Sequence, residues 1–154
     1  MTGLIVTTSY FQGPLPSLKQ LRSLYQKAST QKQAAENLVH QLAGAGSDAP
    51  ATIVCYKGVA HMLIAKYSSN PVKKYKKFLD GKAMITRSVS RDTLNIEARL
   101  LRFTIQYHTP RFLGYNAELE ADKLFLTASL PQIKDPELKV MVEKMLSISK
   151  ADQR

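Results

Sequence analysis

The stretch Leu94–Tyr115 constrains the fold most, because it has the pattern of a helix with almost no solvent face. On a helical wheel of about 100° per residue, Arg99, Arg102 and Gln106 share one narrow polar sector, and apolar side chains occupy most of the remaining surface. Such a helix must be covered by other elements on most sides. It ends before Pro110, because the residue preceding a proline disfavours helical angles. The stretch therefore predicts a central helix with other helices packed around it.

Six other segments carry helical periodicity, and short breaks rich in glycine, proline or polar residues separate them. Together with the central helix, the predicted helices cover residues 18–28, 31–43, 52–67, 71–90, 94–109, 117–130 and 136–149. The candidate N-caps are Ser17 for helix one, Asn70 for helix four, Thr93 or Asp92 for the central helix and Asn116 for helix six. The first two form either a hairpin or one continuous long helix. The predicted fold class is all-α, with about seven helices arranged as antiparallel hairpins in a compact bundle.

The chain of 154 residues fits a single domain with a substantial core. Residues 1–16 have no helical period, so they are predicted to form an irregular arm that Tyr10 and Phe11 hold against the body. Residues 17–149 form the helical domain. The polar residues 150–154 are predicted to be a frayed tail.

Cysteine usage and the apolar segments bear on cofactors and compartment. The single Cys55 excludes an intramolecular disulfide, and no Cys/His cluster has metal-ligand spacing, so neither a metal nor another cofactor is predicted. The apolar start Gly3–Val6 is too short for a signal peptide, and no segment approaches the ~20 apolar residues of a membrane span. The visible sequence favours a cytoplasmic protein, or an exported one if the N-terminus is processed or trimmed.

Positive charge is concentrated on the fourth predicted helix. The chain has 22 Lys+Arg against 12 Asp+Glu, a formal charge of +10 that favours anionic partners such as nucleic acid, acidic proteins or a membrane surface. The basic face of helix four is formed by Lys73, Lys74, Lys76, Lys77 and Arg87. This face is suited to bind phosphate groups.

Two aromatic residues interleave with these lysines. Tyr75 and Phe78 fall on the apolar arc of helix four, together with Leu79, Ile85 and Val89. The wheel therefore predicts that the aromatic rings point into the core. A platform on which nucleic-acid bases stack is not supported by this pattern.

Three arginines form the polar part of the central helix and its exit. Arg99 and Arg102 make the polar stripe, and Arg111 follows the turn. The favoured interpretation pairs them with acids on the next helix, namely Glu118, Glu120 or Asp122. The functional alternative is a pocket that binds the carboxylate of an acidic peptide terminus.

Glu97 lies in the apolar arc of the central helix, near Thr104 and His108 by helical angle. A buried carboxylate is costly unless it is paired or hydrogen-bonded, so the favoured interpretation is a structural first-turn residue that satisfies backbone amides and complements the helix dipole, with an arginine of a neighbouring helix as its candidate partner. The alternative is a general base with His108 as its companion. Because no nucleophile or oxyanion donor is visible nearby, no catalytic residue is predicted.

One segment resembles a tetratricopeptide hairpin. Its first helix carries the small residues of Tyr56–Ala60, its second carries Gly81, Ile85 and Ser88, and a polar turn at Arg91–Asn95 follows. Thr93 stands where such turns usually have proline. The resemblance implies stacked helical hairpins that present a surface to a protein or peptide.

About half of the chain also resembles a family of small uncharacterised proteins typical of Bacteroidetes. The residues that carry this resemblance are Asn70-Pro71, Asn95–Phe103, Thr109–Tyr115 and Asp122-Lys123. It implies a compact, repeat-like helical domain, often exported in relatives. The family brings no activity with it.

The sequence thus predicts a non-enzymatic helical module that binds a protein or peptide partner. The alternative is binding of nucleic acid or another polyanion through the basic face of helix four. Both predictions rest on architecture and charge, and neither requires a cofactor.

Overall fold

The computed structural model describes residues 14–152, and within that range the chain forms an all-α domain. Its helices are α1 (Leu18–Ala28), α2 (Lys32–Gln41), α3 (Ala51–Lys66), α4 (Pro71–Arg91), α5 (Ile96–His108), α6 (Leu119–Ser129) and α7 (Pro136–Ala151). Short 3-10 turns occur at Arg111–Leu113 and Leu130–Gln132, and the described residues contain no strand. The predicted all-α class with about seven helices is confirmed.

Polar side chains define where several helices begin. At α1, the Ser17 hydroxyl accepts from the Gln20 amide at 3.3 Å, and the Gln20 side chain accepts from the Ser17 amide at 2.9 Å. At α4, the Asn70 side chain accepts from the first free amides and Pro71 follows it. These caps satisfy amides that have no partner within the helix, so the predicted starts at Ser17 and Asn70 are confirmed.

Two predicted helix starts are wrong. For α5 the sequence suggests Asp92 or Thr93, but the cap is Asn95, whose side chain accepts a backbone amide of the first turn at 2.9 Å. For α6 the sequence suggests Asn116, but the helix begins at Leu119 without a side-chain cap. In both cases the connection continues as a turn for some residues before the backbone becomes helical.

Successive helices pair with each other. The chain breaks between α1 and α2 at residues 29–31 and the two helices pack together, so the hairpin is confirmed and the continuous long helix is wrong. The same pairing joins α3 to α4 and α5 to α6, and α7 contacts α5 and α6. Short connections make such neighbours antiparallel.

α3 and α4 approach so closely that only glycine fits at their contact. A Cβ atom on Gly58 would lie 2.8 Å from the Gly81 carbonyl oxygen, and one on Gly81 would lie 2.6 Å from the Gly58 carbonyl oxygen. The contact fixes the rotation of α4 about its own axis, because the Gly81 side must face α3.

α5 lies at the centre of the domain, as the sequence predicts. It contacts α3, α4, α6 and α7. Ala98 and Leu101 belong to a core formed mainly with α1, α2, α3 and α4. Leu100 and Phe103 belong to a second core formed with α6 and α7. One helix therefore connects the two apolar clusters of the domain.

The C-terminal boundary differs from the prediction. α7 continues through Ala151, past its predicted end at Ser149. Just beyond it, the Tyr107 hydroxyl donates to the Asp152 carboxylate. The beginning of the predicted frayed tail is therefore helical and attached to α5.

Part of the predicted N-terminal arm, including Tyr10 and Phe11, lies outside the described residues. Its remainder, residues 14–16, is non-helical and leads into α1. Residues 153–154 of the predicted tail also lie outside the described range.

Replacing Gly81 with alanine tests the backbone contact between α3 and α4. In an ordinary helix interior this change stabilises by about 1 kcal/mol. Here the added methyl would overlap the Gly58 backbone, so we expect Gly81→Ala to lower the free energy of unfolding by about 1–3 kcal/mol, as overpacking does. Urea unfolding measures the change. Ser90→Ala, at an exposed position of α4, serves as the control and should cause no loss; a Gly81→Ala protein as stable as the parent would contradict the contact.

Candidate functional site

A buried carboxylate on α5 is held by two other helices. Glu97 is 5% exposed. The Arg22 guanidinium of α1 donates to both of its oxygens, from Nε to Oε1 at 2.9 Å and from Nη2 to Oε2 at 2.8 Å. The Tyr56 hydroxyl of α3 donates to Oε1 at 2.6 Å. Because bidentate arginine–carboxylate pairs are strong and directional, Glu97 attaches α1 and α3 to α5.

The same arginine reaches the start of α7. Arg22 Nη1 lies 2.9 Å from carboxylate oxygens of both Asp135 and Glu137. The hydrogen bond with Glu97 outweighs the effect of burial and raises the pKa of Arg22. On the α7 side of this cluster, hydrogen bonds from the Leu138 backbone amide and from Arg22 lower the pKa of the Asp135 carboxyl. Three carboxyl groups thus surround one guanidinium.

The sequence predicts an arginine partner for Glu97 without identifying Arg22. The signal in α1 is weak: Arg22 falls about 40° from Leu18 and about 60° from Tyr25 on the wheel, just beyond the edge of the apolar arc. An arginine at that edge can be buried when another helix packs beside it, and a buried arginine requires an acid.

Glu97 and His108 are not companions. They lie at opposite ends of α5, eleven residues apart, which is about 16 Å along the helix axis. His108 is exposed, and its Nδ1 lies 2.8 Å from the Thr104 carbonyl oxygen. The structure therefore does not bring together the acid–base pair considered from helical angles.

The polar stripe of α5 faces α6. Asp122 is 0% exposed, and it accepts from Arg99 Nε at 2.7 Å and from Arg102 through Nε at 2.7 Å and Nη2 at 2.8 Å. The Arg99 guanidinium also lies 3.8 Å from the centre of the Phe125 ring. Of the three acids considered for these arginines, Asp122 is the one they bind. Both arginines therefore pair with an acid of α6, as the favoured interpretation predicts, and their Nε groups are not free for the anion pocket considered as the alternative.

Arg111, the third arginine of that predicted pocket, is exposed on the 3-10 turn. It forms no ion pair within residues 14–152. The turn ends at Gly114, whose φ of +63° is favourable for glycine and strained for other residues. Arg111 is thus a free surface cation within residues 14–152, whereas Arg99 and Arg102 are paired with Asp122.

A groove of about 710 Å³ lies over α5, between the two apolar cores. Its floor includes Leu100 and Ile105 of α5. One wall comes from α1 and α3 and the other from α7, where Met141 and Met145 line it. Sequence reasoning does not find this groove, because its shape depends on how far α1 and α7 stand apart above α5.

Basic groups line part of this apolar groove. Lys66 and Lys144 contribute ammonium groups and His108 an imidazole, whereas none of the lining residues is acidic. The Lys66 ammonium donates to the Ser29 carbonyl oxygen at 2.7 Å, which holds it at the wall formed by α1 and α3. The site therefore combines an apolar floor with positive edges.

The outer face of α4 differs from the prediction. Tyr75 is 55% exposed and Leu79 is 44% exposed, so neither points into the core as the helical wheel predicts. Phe78 does pack inward, edge-on against Tyr115 with ring centres 6.1 Å apart. The cause is the glycine contact, which turns the Gly81 side of α4 toward α3 and the Tyr75 side toward solvent.

The predicted basic residues of α4 remain on its surface. Lys73, Lys74, Lys76 and Arg87 are exposed and Lys77 is half-buried. None of these five forms an ion pair in the part of the chain that the structure describes. They share this surface with the exposed side chains of Tyr75 and Leu79.

Other candidate chemistry is limited in the described residues. Cys55 is fully buried and burial raises the pKa of its thiol to about 12. Residues 14–152 contain no group of three or more His, Cys, Asp or Glu placed to hold a metal ion. Over the same range, no helix combines the length and apolar character required to cross a bilayer.

Comparisons of the chain with protein-family models, with curated proteins and with solved structures find no match in any of the three. The resemblances to tetratricopeptide hairpins and to a Bacteroidetes family therefore stay predictions.

Replacing Glu97 with glutamine tests the buried ion pair. The change leaves the Arg22 charge buried without its bidentate partner, although Asp135 and Glu137 remain beside it. Breaking a buried pair costs about 3–5 kcal/mol, and we expect Glu97→Gln to fall near the lower figure. Denaturant unfolding measures it. Glu36→Gln, which removes a surface pair with Lys32 at 3.5 Å, should change stability by less than about 0.5 kcal/mol; equal effects of the two variants would contradict the assigned role.

His61 predicts a pH dependence of stability. It is half-buried on α3, its Nδ1 has no hydrogen-bond partner in residues 14–152, and burial, with the nearby Lys77, lowers its pKa. The unfolded chain therefore takes up the proton first, and stability falls as the pH drops below about 6.5 toward the folded pKa. His61→Gln should flatten this part of the pH profile of urea unfolding. His40→Gln, at an exposed position, should leave the slope unchanged; a slope unaffected by His61→Gln would refute the assignment.

Proposed function

We propose that this protein is a non-enzymatic interaction module whose groove over α5 binds an amphipathic helix of a partner protein that carries acidic side chains. The observation that supports this most directly is the groove itself, an apolar concavity with lysines at its edges and no acidic lining residue. Grooves of this kind accept the apolar face of a helix in one common mode of peptide recognition.

The groove has the chemistry of an adaptable binding surface. Its floor is aliphatic, and Met141 and Met145 line one wall. Methionine side chains are flexible and polarisable, and they adapt to partners of varied shape. A partner side chain that enters here leaves water for an apolar environment, which favours binding in proportion to the area buried.

One face of α7 forms a ridge against which about two turns of a partner helix can lie. Val140, Lys144 and Ile148 lie four residues apart along it, and they extend about 12 Å. Val140 is 61% exposed and Ile148 is 38% exposed, so this face is incompletely covered by the protein. A partner helix with apolar residues at matching four-residue spacing can lie against the ridge.

The charge of the edges selects the partner. Lys144 is exposed on the α7 wall, and Ser29 holds Lys66 on the opposite wall, formed by α1 and α3. Both ammonium groups attract carboxylates and repel other cations. Opposite charges at the rim of an interface accelerate association and suppress partners of the wrong charge. An acidic amphipathic helix is therefore preferred over a basic one.

A display library of amphipathic helical peptides with varied charge tests the proposal. Peptides selected on the protein should be acidic, and Val140→Glu with Lys144→Glu should weaken their binding by at least about tenfold, measured by fluorescence anisotropy. The matched control, Leu124→Glu with Lys150→Glu, changes an exposed leucine and an exposed lysine that do not line the groove. It should leave affinity within about twofold.

Two outcomes would refute the groove as the binding site. One is the absence of any enriched peptide. The other is a set of enriched peptides that bind the groove variant as tightly as the parent. Both variants alter exposed side chains, so circular dichroism should show the parental helical fold in each.

We propose polyanion binding as a second function, on a different surface. The four lysines of Lys73–Lys77 lie together on α4 without a carboxylate partner in the described residues. The observation that favours it over a merely solvated face is the exposure of Tyr75 among them.

A further inference from the structure

The first two turns of α4 expose an apolar stripe. Val72 is 77% exposed, Tyr75 is 55% exposed and Leu79 is 44% exposed. Their spacing of three and four residues places them within about 60° of one another on the helix surface. Single exposed apolar residues are common on proteins, but three on one helix face form a continuous patch.

Two lysines border one edge of this stripe. On the helical wheel Lys76 lies about 40° and Lys73 about 100° from that edge, with Asp80 between them. Lys74 and Lys77 fall toward the opposite side of the helix. The resulting surface has an apolar stripe with two ammonium groups along one edge. Such a combination is typical of helices that lie in the interface of an anionic membrane.

The stripe is held on an ordered helix. The Asn70 side chain accepts from the amides of Val72 and Lys73 at 3.0 and 3.1 Å, which fixes the first turn. Tyr75 stacks on Phe78 with ring centres 6.2 Å apart, and Phe78 packs edge-on against Tyr115. The apolar side chains are therefore displayed by the folded protein and need no unfolding to reach a partner.

We propose that this face of α4 binds the surface of an anionic phospholipid membrane, which rests on the polyanion binding proposed for the same lysines. Nucleic acid would contact the lysines through its phosphates and Tyr75 through its bases, but it would leave the aliphatic side chains of Val72 and Leu79 without a partner. A bilayer provides an environment for all three kinds of side chain. Aliphatic groups enter the acyl boundary, tyrosine lies at the headgroups, and lysines reach the phosphates.

The measurement is binding to vesicles of phosphatidylcholine with about 30% phosphatidylserine, and to vesicles of phosphatidylcholine alone, at about 0.15 M salt. We expect binding to the anionic vesicles only. Each lysine near such a surface contributes about fivefold to affinity, so Lys73→Glu with Lys76→Glu should weaken it by more than about tenfold. Val72→Ser with Leu79→Ser keeps the charges and should weaken it by about tenfold or more.

Insertion is measured directly with a single tryptophan. The chain contains no tryptophan, so Tyr75→Trp places a unique fluorophore on the stripe. Its emission should shift to the blue with anionic vesicles. Leu124→Trp, at a position of α6 that is 71% exposed, is the matched control and should not shift.

Titration with a labelled single-stranded oligonucleotide separates the two proposals. The membrane proposal predicts that Val72→Ser with Leu79→Ser leaves oligonucleotide binding within about twofold while vesicle binding is lost. Oligonucleotide binding without vesicle binding would overturn the membrane proposal and leave polyanion binding standing. Binding of neither ligand would overturn both, and vesicle binding that is insensitive to Val72→Ser with Leu79→Ser would overturn the role of the stripe.

Discussion

The ion pair between Arg22 and Glu97 is the interaction on which the rest of the arrangement depends. Both side chains are almost fully buried, so each charge depends on the other to offset its loss of hydration. Because Arg22 also binds Asp135 and Glu137, α1 and α7 are fastened together at the ends where those helices begin. The two walls of the groove are the later turns of these same helices. A buried polar cluster thus determines where the apolar groove opens.

The sequence determines the helices well because helix formation is local. Periodicity locates seven segments, and caps such as Ser17 and Asn70 are visible as residue types. Side-chain partners across the fold are less accessible. The acid for Arg99 and Arg102 lies on the next helix, so chain order limits the choice to three residues. The partner of Glu97 is 75 residues away, and proximity in sequence gives no guide to it.

The outer face of α4 was mispredicted for a specific physical reason. A helical wheel ranks positions by side-chain polarity, so Tyr75 and Leu79 are assigned to the core. The orientation of α4 is set instead by the contact between the backbones of Gly58 and Gly81, where neither residue has a side chain. The groove escapes prediction for a related reason: an empty space between helices has no residue pattern of its own. Both features are set by tertiary packing and not by the local sequence.

The position of α5 in both apolar clusters has a consequence for folding. Ala98 and Leu101 face one cluster while Leu100 and Phe103 face the other, so neither cluster can be completed without this helix. The two halves of the domain therefore do not form separable folding units. If either apolar cluster opens, α5 becomes exposed, and the other cluster loses the packing that α5 provides. We therefore expect amide hydrogens in the middle of α5 to exchange with solvent only when the whole domain opens, and to be among the best protected of residues 14–152.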